Sequence, residues 1–364
     1  MAKLSGITVV DCSQFLPGPM LTQMMADHGA QVCKIEPIAG DPVRQMEPVE
    51  NGHSVWFRNV NRGKSARALD LKSEPGKAAL WALLETADVF VEGFRPGVME
   101  RLGFGYQTVA QRCPRLVYCS ISAFGQNGPL SHHPAHDLVV QALAGFISVN
   151  DVADGAPAVP GVPSADMAAS LNGLSAVLMA LIGRERSGRG DYLDIAMFDS
   201  LLPWCVHVAG EAIAGGAAPV GAQQRSLGGA ALYQVYETSD RRYIVLGGRE
   251  EKFARNLFTA LDRPDLVAIA CGPAGEAQTP AIDFLRATFR TRTRDEWSDW
   301  FSGRDIAFAP VLDFAEALQS PQVAARGLWR QQGGAHHIAP SFRFADEDNA
   351  LSEPPALGGS AARA

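Results

Sequence analysis

The sequence predicts an α/β protein, with a large domain built on a parallel sheet and a smaller α+β domain. Three observations predict it. Short apolar runs alternate with helical patterns through the first third of the chain, the rhythm of parallel strands carrying helices on their faces. A glycine-rich loop, Gly215 to Gly229, then separates this region from one with paired-strand signals. The 364 residues are 47% hydrophobic and 20% charged, which is too apolar for a disordered chain and ample for a core.

The elements follow in order. Ile7 to Asp11 is the apolar run of a buried parallel strand. Pro19 opens a helix that reaches His28, where Gly29 ends it. Gln31 to Ile35 is the second strand, Val89 to Val91 the third and Arg115 to Ile121 the fourth. Between them, Glu74 to Ala87 turns Ala78, Leu80, Trp81, Leu83 and Leu84 inward as an amphipathic helix. The middle is helical, over Asp137 to Val149 and Asp166 to Arg184. Asp191 to Met197 is a strand, and an apolar helix runs on to about Ala214. Leu232 to Glu237 and Arg242 to Leu246 pair around Ser239-Asp240-Arg241. Helices follow from Glu250, from Pro280 and over Asp295 to Phe301, and Val311 to Leu318 resumes a strand–helix pattern. The expected domains are 1–215 (large), 225–310 (small), and 311–364 (a return to the large domain, then a frayed tail).

Composition excludes several classes. A net charge of −7, from 32 basic and 39 acidic groups, argues against a general nucleic-acid binder. Six scattered cysteines without C-x-x-C spacing argue against a zinc ribbon or a disulfide scaffold and suit a reducing cytoplasm. The start lacks a basic n-region and apolar core, so no signal peptide is expected. Met167 to Gly183 is uncharged but contains Ser170, Asn172, Gly173 and Ser175. It is expected to be a core helix rather than a membrane span.

Asp166 is the first candidate for chemistry. It stands where an uncharged helix begins, so the free N–H groups and helix dipole would hold it as an anion. A plain N-cap explains the position. A fixed anionic nucleophile or base explains it too. His136 and Asp137 precede the other apolar helix. His132 and His136 have ligand spacing, but Pro134 lies between them and no third ligand follows, so no metal is expected. Glu250 and Glu251 open a helix after Gly247-Gly-Arg249, as helix caps or as cleft residues. Cations at strand ends, in Asn61-Arg-Gly-Lys64, Leu69-Asp-Leu-Lys72 and Glu92-Gly-Phe-Arg-Pro-Gly97 with Arg101, are candidates to hold phosphates. The chain has no G-x-G-x-x-G after the first strand, no P-loop and no G-x-S-x-G elbow.

Several blocks together resemble one family. They are Pro17 to Ala30, Val32-Cys-Lys-Ile-Glu-Pro37, Gly40-Asp-Pro-Val-Arg44, Asn61-Arg-Gly-Lys-Ser65, Leu69-Asp-Leu-Lys72 and Val91-Glu-Gly-Phe-Arg-Pro-Gly97 with Arg101-Leu-Gly103. Gly125-Gln-Asn-Gly-Pro129, Asp137 to Ala142, and Gly161-Val-Pro-Ser-Ala-Asp166 with Arg186 to Gly190 continue the series. In order and spacing the chain is similar, over nearly its whole length, to the family III CoA transferases of the CaiB/BaiF type. That group includes formyl-CoA and carnitine-CoA transferases, and the α-methylacyl-CoA racemases share its fold.

The resemblance implies a Rossmann-like large domain and an interlocked-ring homodimer. It implies a CoA transferase acting on an acyl-CoA and a carboxylic acid acceptor, without a metal. Asp166 falls on the catalytic aspartate, which would form an acyl anhydride and then an aspartyl-CoA thioester. CoA contacts fall on Leu16, Pro17, Leu69, Lys72, Gly93, Phe94, Arg101, Leu102 and Asp137. Pro37 stands where transferases can carry an arginine. Racemases resemble the chain at His136, Asp166 and Glu250, so α-proton exchange by His136 and Asp166 is the alternative, and a non-catalytic acyl-CoA-binding protein is a third reading.

Overall fold

A computed structural model describes residues 2–150, 156–347 and 351–358. The chain divides into two compact units. One holds residues 1–144, 160–203 and 321–364, the other 145–159 and 204–320.

The larger unit contains strands β1 (Thr8–Cys12), β2 (Gln31–Glu36), β3 (Ser65–Ala68), β4 (Val89–Glu92), β5 (Val117–Ser122) and β6 (Tyr192–Ala196). Its main helices are α1 (Pro17–Asp27), α2 (Glu74–Leu84), α3 (Val98–Leu102), α4 (Asp137–Leu143) and α5 (Ser164–Ser187). The six strands form one parallel sheet in the order β3-β2-β1-β4-β5-β6. Val10 lies opposite Cys33 on one side and Phe90 on the other. That order is the doubly wound Rossmann topology, with its reversal between β1 and β4.

On one face Leu80 and Leu84 of α2 and Met99 of α3 pack with Val10, Ile35, Phe90 and Tyr118 of the strands. On the other face α5 lies against α1, β5 and β6. Gly173 permits that approach, since a Cβ there would fall 2.6 Å from Leu21 Cδ1. α5 is long and apolar enough to cross a membrane, by composition alone. Ala165, Ala168, Ala169 and Val177 on it are fully buried, as in a core helix.

The smaller unit has an antiparallel sheet of β7 (Tyr233–Glu237), β8 (Tyr243–Gly247) and β9 (Phe308–Pro310), with β8 central. Helices α6 (Glu251–Ala260), α7 (Thr279–Phe289) and α8 (Arg294–Phe301) complete its core around Tyr236, Leu246, Phe258, Phe289 and Trp297. The Trp297 indole N–H donates to the Phe289 carbonyl at 2.8 Å, so the largest core side chain leaves no polar orphan.

Three expectations need correction. The helix expected over Asp137 to Val149 stops at Leu143, because Gly145 takes a left-handed φ of 79° that ends it. The apolar segment after β6 is no single helix. Pro203 and Gly210 break it into a turn of helix at Met197–Leu201, a 3₁₀ turn at Leu202–Cys205 and a short helix at Gly210–Ile213. Residues 311–320, read above as part of the return to the large domain, pack in the smaller unit. There the Arg294 guanidinium donates to the Val311 carbonyl at 3.2 Å and grips Glu316 at 2.9 Å.

Candidate active site

The strand reversal opens a crevice at the carboxyl ends of β1 and β4, where ligands bind in such sheets. The loops leaving those strands, residues 13–16 and 93–97, wall a cavity of about 250 Å³. Phe15, Pro17, Gly93, Arg95, His136 and Asp166 line it among others. The β1 loop is tightly folded. Phe15 holds a left-handed φ of 61°, and a Cβ at Gly18 would sit 2.1 Å from Ser13 Oγ.

A buried polar network fixes that loop from below. The Asp11 carboxylate accepts from Ser13 N at 2.9 Å, Thr22 Oγ1 at 2.6 Å and Lys64 Nζ at 3.2 Å. Lys64 also donates to Pro19 O, Thr22 Oγ1 and Asn61 Oδ1 at 2.8 to 2.9 Å. Lys34 donates to Ser13 O at 2.9 Å and pairs with Asp41 at 2.8 Å. Burial opposes charge on Asp11, yet Lys64, Lys34 and its hydrogen bonds hold its pKa down to about 2. Lys64 is pushed down to about 8 by burial, which Asp11 counters. Lys64 and Arg62 are therefore not phosphate ligands as expected from the Asn61–Lys64 stretch. Lys64 is fully buried, and Arg62 forks onto Asp27 at 2.5 and 2.9 Å.

Asp166 is the third residue of α5, behind Pro163 and Ser164, rather than its cap. The capping groups are taken by another side chain. Asp137 Oδ1 accepts the N–H of Ala165 at 2.8 Å and of Asp166 at 3.1 Å. The Asp166 carboxylate faces the cavity and has no hydrogen bond among the described residues. Burial, and then the Asp137 charge, push its pKa up to about 7. The helix start does not hold it as a strong acid, contrary to expectation. Ser170 Oγ donates to Pro17 O at 2.8 Å and to Asp166 O at 2.9 Å. The first turns of α5 are thereby tied to the β1 loop.

The other expected residues fall in three places. Leu16 and Pro17 open α1, Gly93 and Phe94 follow β4, and His136 caps α4 while edging the Phe15 ring at 5.6 Å. Leu69, Phe94 and Leu102 are half-buried against the same core cluster. Lys72 and Arg101 are exposed and form no ion pair among the described residues. Glu250 lies in the smaller unit, at the cap of α6, beside Arg225, Arg249 and Tyr233. His132 is exposed, and among the described residues no three metal-binding side chains gather.

Arg95, a candidate phosphate cation of the Glu92–Gly97 stretch, lines the cavity. One residue escaped the sequence reading. Glu92 lies buried under Gly93, accepting from Ser120 and, at 2.8 Å, from Phe94 N, and burial pushes its pKa up to about 7. A lone acid at the end of an apolar strand signals such a place.

A sequence profile of CoA-transferase family III matches residues 4–360. The chain belongs to CoA-transferase family III. It is 33% identical to an acetyl-CoA:oxalate CoA-transferase of Acetobacter aceti, covering 96% of this chain and 91% of that one. A probable fatty acyl-CoA transferase of Mycobacterium tuberculosis is 30% identical, with 98% and 95% covered. Among solved structures, a CaiB/BaiF family protein from Brucella suis has a TM-score of 0.85 at 29% identity, over 98% of this chain and 97% of that one. Family III enzymes act on CoA thioesters, and the named relatives support an enzyme here as well.

Proposed function

We propose that this family III enzyme moves CoA from an acyl-CoA to a carboxylic acid, with Asp166 as the nucleophile. The observation that carries the proposal is the Asp166 carboxylate, unpaired and facing the crevice at the strand reversal. As the anion it attacks the thioester carbonyl. The C–S bond breaks, CoA thiolate leaves, and an acyl-aspartyl anhydride remains. The thiolate then attacks the aspartyl carbonyl and releases the donor acid, leaving an aspartyl-CoA thioester. The acceptor carboxylate attacks that thioester, forms a second anhydride and frees the thiolate. Attack of the thiolate on the acceptor carbonyl yields the new acyl-CoA and restores Asp166. No net redox change and no external water are needed. Relatives named for oxalate, glutarate and mesaconate support a small carboxylic acid as acceptor.

The test is incubation with succinyl-CoA or acetyl-CoA and each of these acids in deuterated water. CoA should appear on the acid with no deuterium at the donor α-carbon. α-Deuteration of 2-methylacyl-CoA without an acceptor would instead indicate racemisation by His136 and Asp166. The curated relatives described above are named CoA-transferases, which favours transfer.

The CoA nucleotide is placed against Leu69, Phe94 and Leu102, with Lys72 and Arg101 on its phosphates. Leu16, Pro17 and Gly93 flank the pantetheine arm. Lys72→Ala and Arg101→Ala should each raise KM for acyl-CoA by about tenfold, with kcat little changed. Unchanged CoA affinity by calorimetry in both variants would remove this placement.

A homodimer is also part of the proposal. Its support is the exposed apolar side chains of the larger unit. One turn of α5 exposes Met179 at 71% and Ile182 at 63%, and Leu143 at the end of α4 is 49% exposed, large apolar side chains of the kind a partner surface covers. Sedimentation should give a dimer at micromolar concentration, and a monomer there contradicts it. A cytoplasmic setting is part of the proposal too, supported by six scattered cysteines without C-x-x-C spacing.

A further inference from the structure

We propose that Asp137 is a positioning residue whose side chain caps the first turn of α5 and sets its carboxylate beside the nucleophile Asp166. The inference rests on the reading of Asp166 as nucleophile and adds a residue that acts through it. The geometry is specific. A helix leaves its first N–H groups without partners. Here the Ser164 N–H goes to Val162 O at 2.8 Å, and those of Ala165 and Asp166 go to Asp137 Oδ1. A carboxylate at the start of α4 thus caps α5, and the nucleophile beside it is excluded from the cap.

The Asp137 carboxylate is held for this task. Its other oxygen, Oδ2, accepts from Gln141 Nε2 at 2.5 Å, one turn along α4. The same amide nitrogen donates to Val162 O at 3.1 Å, in the strand of chain leading into α5. Gln141 is itself buried. Asp137 and Gln141 therefore clasp residues 162–166 from one side, while Ser170 ties α5 to Pro17 from the other.

The electrostatic consequence follows from the same contacts. A fixed negative charge lies next to a carboxyl that receives no compensating hydrogen bond. Two like charges at such range disfavour a second ionisation. The charged and titratable groups on the surrounding elements include Asp11 and Cys12 of β1, Asp27 of α1, Glu92 of β4 and Arg95 after it, Cys119 of β5, His133 and His136 before α4, Asp194 of β6 and Asp199. Burial, and then the Asp137 charge beside it, raise the pKa of Asp166. A nucleophile kept near neutrality is also a stronger one, since basicity and nucleophilicity rise together. Asp137 thereby trades the fraction ionised at low pH for reactivity once ionised.

The test reads the protonation of Asp166 without any substrate. A water-soluble carbodiimide with an amine couples to protonated carboxyls, and peptide mass spectrometry reports labelling at Asp166 across pH 4 to 9. In the wild type, labelling should fall with a midpoint near 7. Asp137→Asn keeps an oxygen to cap the helix but removes the charge, so its midpoint should drop by about one pH unit. The acid limb of kcat/KM for succinyl-CoA should move by the same amount. Asp137→Glu keeps the charge on a longer arm. Its midpoint should stay near the wild-type value while kcat falls, because the first turn of α5 is displaced. A midpoint in Asp137→Asn that coincides with the wild type overturns the inference. Should that variant not fold, a midpoint that drops in Asp137→Glu overturns it equally. Failure of the nucleophile reading looks different: the labelling shift would be present, but Asp166→Ala would still turn over.

Discussion

Asp166→Ala should lower CoA transfer by at least about a thousandfold, because removal of a covalent nucleophile leaves only binding and positioning. Its fold and CoA affinity should be nearly unchanged, since the carboxylate makes no hydrogen bond among the described residues and the cap of α5 comes from Asp137. The wild-type pH profile carries the same assignment. A nucleophilic carboxylate works only as the anion, so kcat/KM should fall below pH of about 7, where Asp166 takes up its proton. Stability should run the opposite way. The pKa of Asp166 is raised from 3.8 to about 7 in the folded state, so folding favours the protonated form. The corresponding stability is present at acid pH and is lost as pH rises through 7. Asp166→Asn, uncharged throughout, should therefore melt a few degrees above the wild type at pH 8, with the difference vanishing towards pH 4. Wild-type turnover in Asp166→Ala, or a pH-independent melting difference, would return Asp166 to a plain structural role.

The parts of this molecule legible in its sequence are those governed by local patterns. The strands of the parallel sheet are buried on both faces, so Thr8–Cys12 and Val89–Glu92 read as apolar runs whatever surrounds them. Asp166 could be picked out because an acid at the edge of a long uncharged helix is locally unusual. Its environment could not be read. The group that caps α5 is Asp137, 29 residues before Asp166 in sequence, and neither residue's neighbourhood shows that they meet. The same blindness made Lys64 look like a phosphate ligand. A lysine after Asn-Arg-Gly reads as a surface cation, but its partner Asp11 lies 53 residues away. Helix ends were misjudged where one residue decided them, as Gly145 did for α4 and Pro203 for the segment after β6. The resemblance to CoA transferases carried the identity of the chain, whereas the burial and pairing of each charge required coordinates.

Lys64→Met should destabilise the protein by about 3–5 kcal/mol, because it removes one partner of a fully buried pair and leaves Asp11 as a poorly compensated charge. The ammonium has four acceptors, and all of them, Pro19 O, Thr22 Oγ1, Asn61 Oδ1 and Asp11, would lose a charge-assisted bond within the interior. Lys34 is too occupied with Ser13 O and Asp41 to replace it. At this chain length the loss should lower Tm by about 4–7 °C. The damage should reach function, because Asp11 also holds Ser13 N and Thr22 and so fixes the loop over Phe15 and Pro17. KM for acyl-CoA should therefore rise in Lys64→Met even below its melting range. The double variant Asp11→Asn with Lys64→Met separates pair energy from packing. It removes the stranded charge, so it should be more stable than Lys64→Met alone, and the two substitutions should be strongly non-additive. The pH dependence gives an independent check. Asp11 has its pKa depressed to about 2 on folding, so it contributes stability above its ordinary value near 3.8 that is lost as pH falls towards 2. In Lys64→Met that acid loss should shrink, because the cation that depressed Asp11 is gone. Equal stability of Lys64→Met and wild type in urea, or strict additivity in the double variant, would show that the buried pair does not organise the crevice floor.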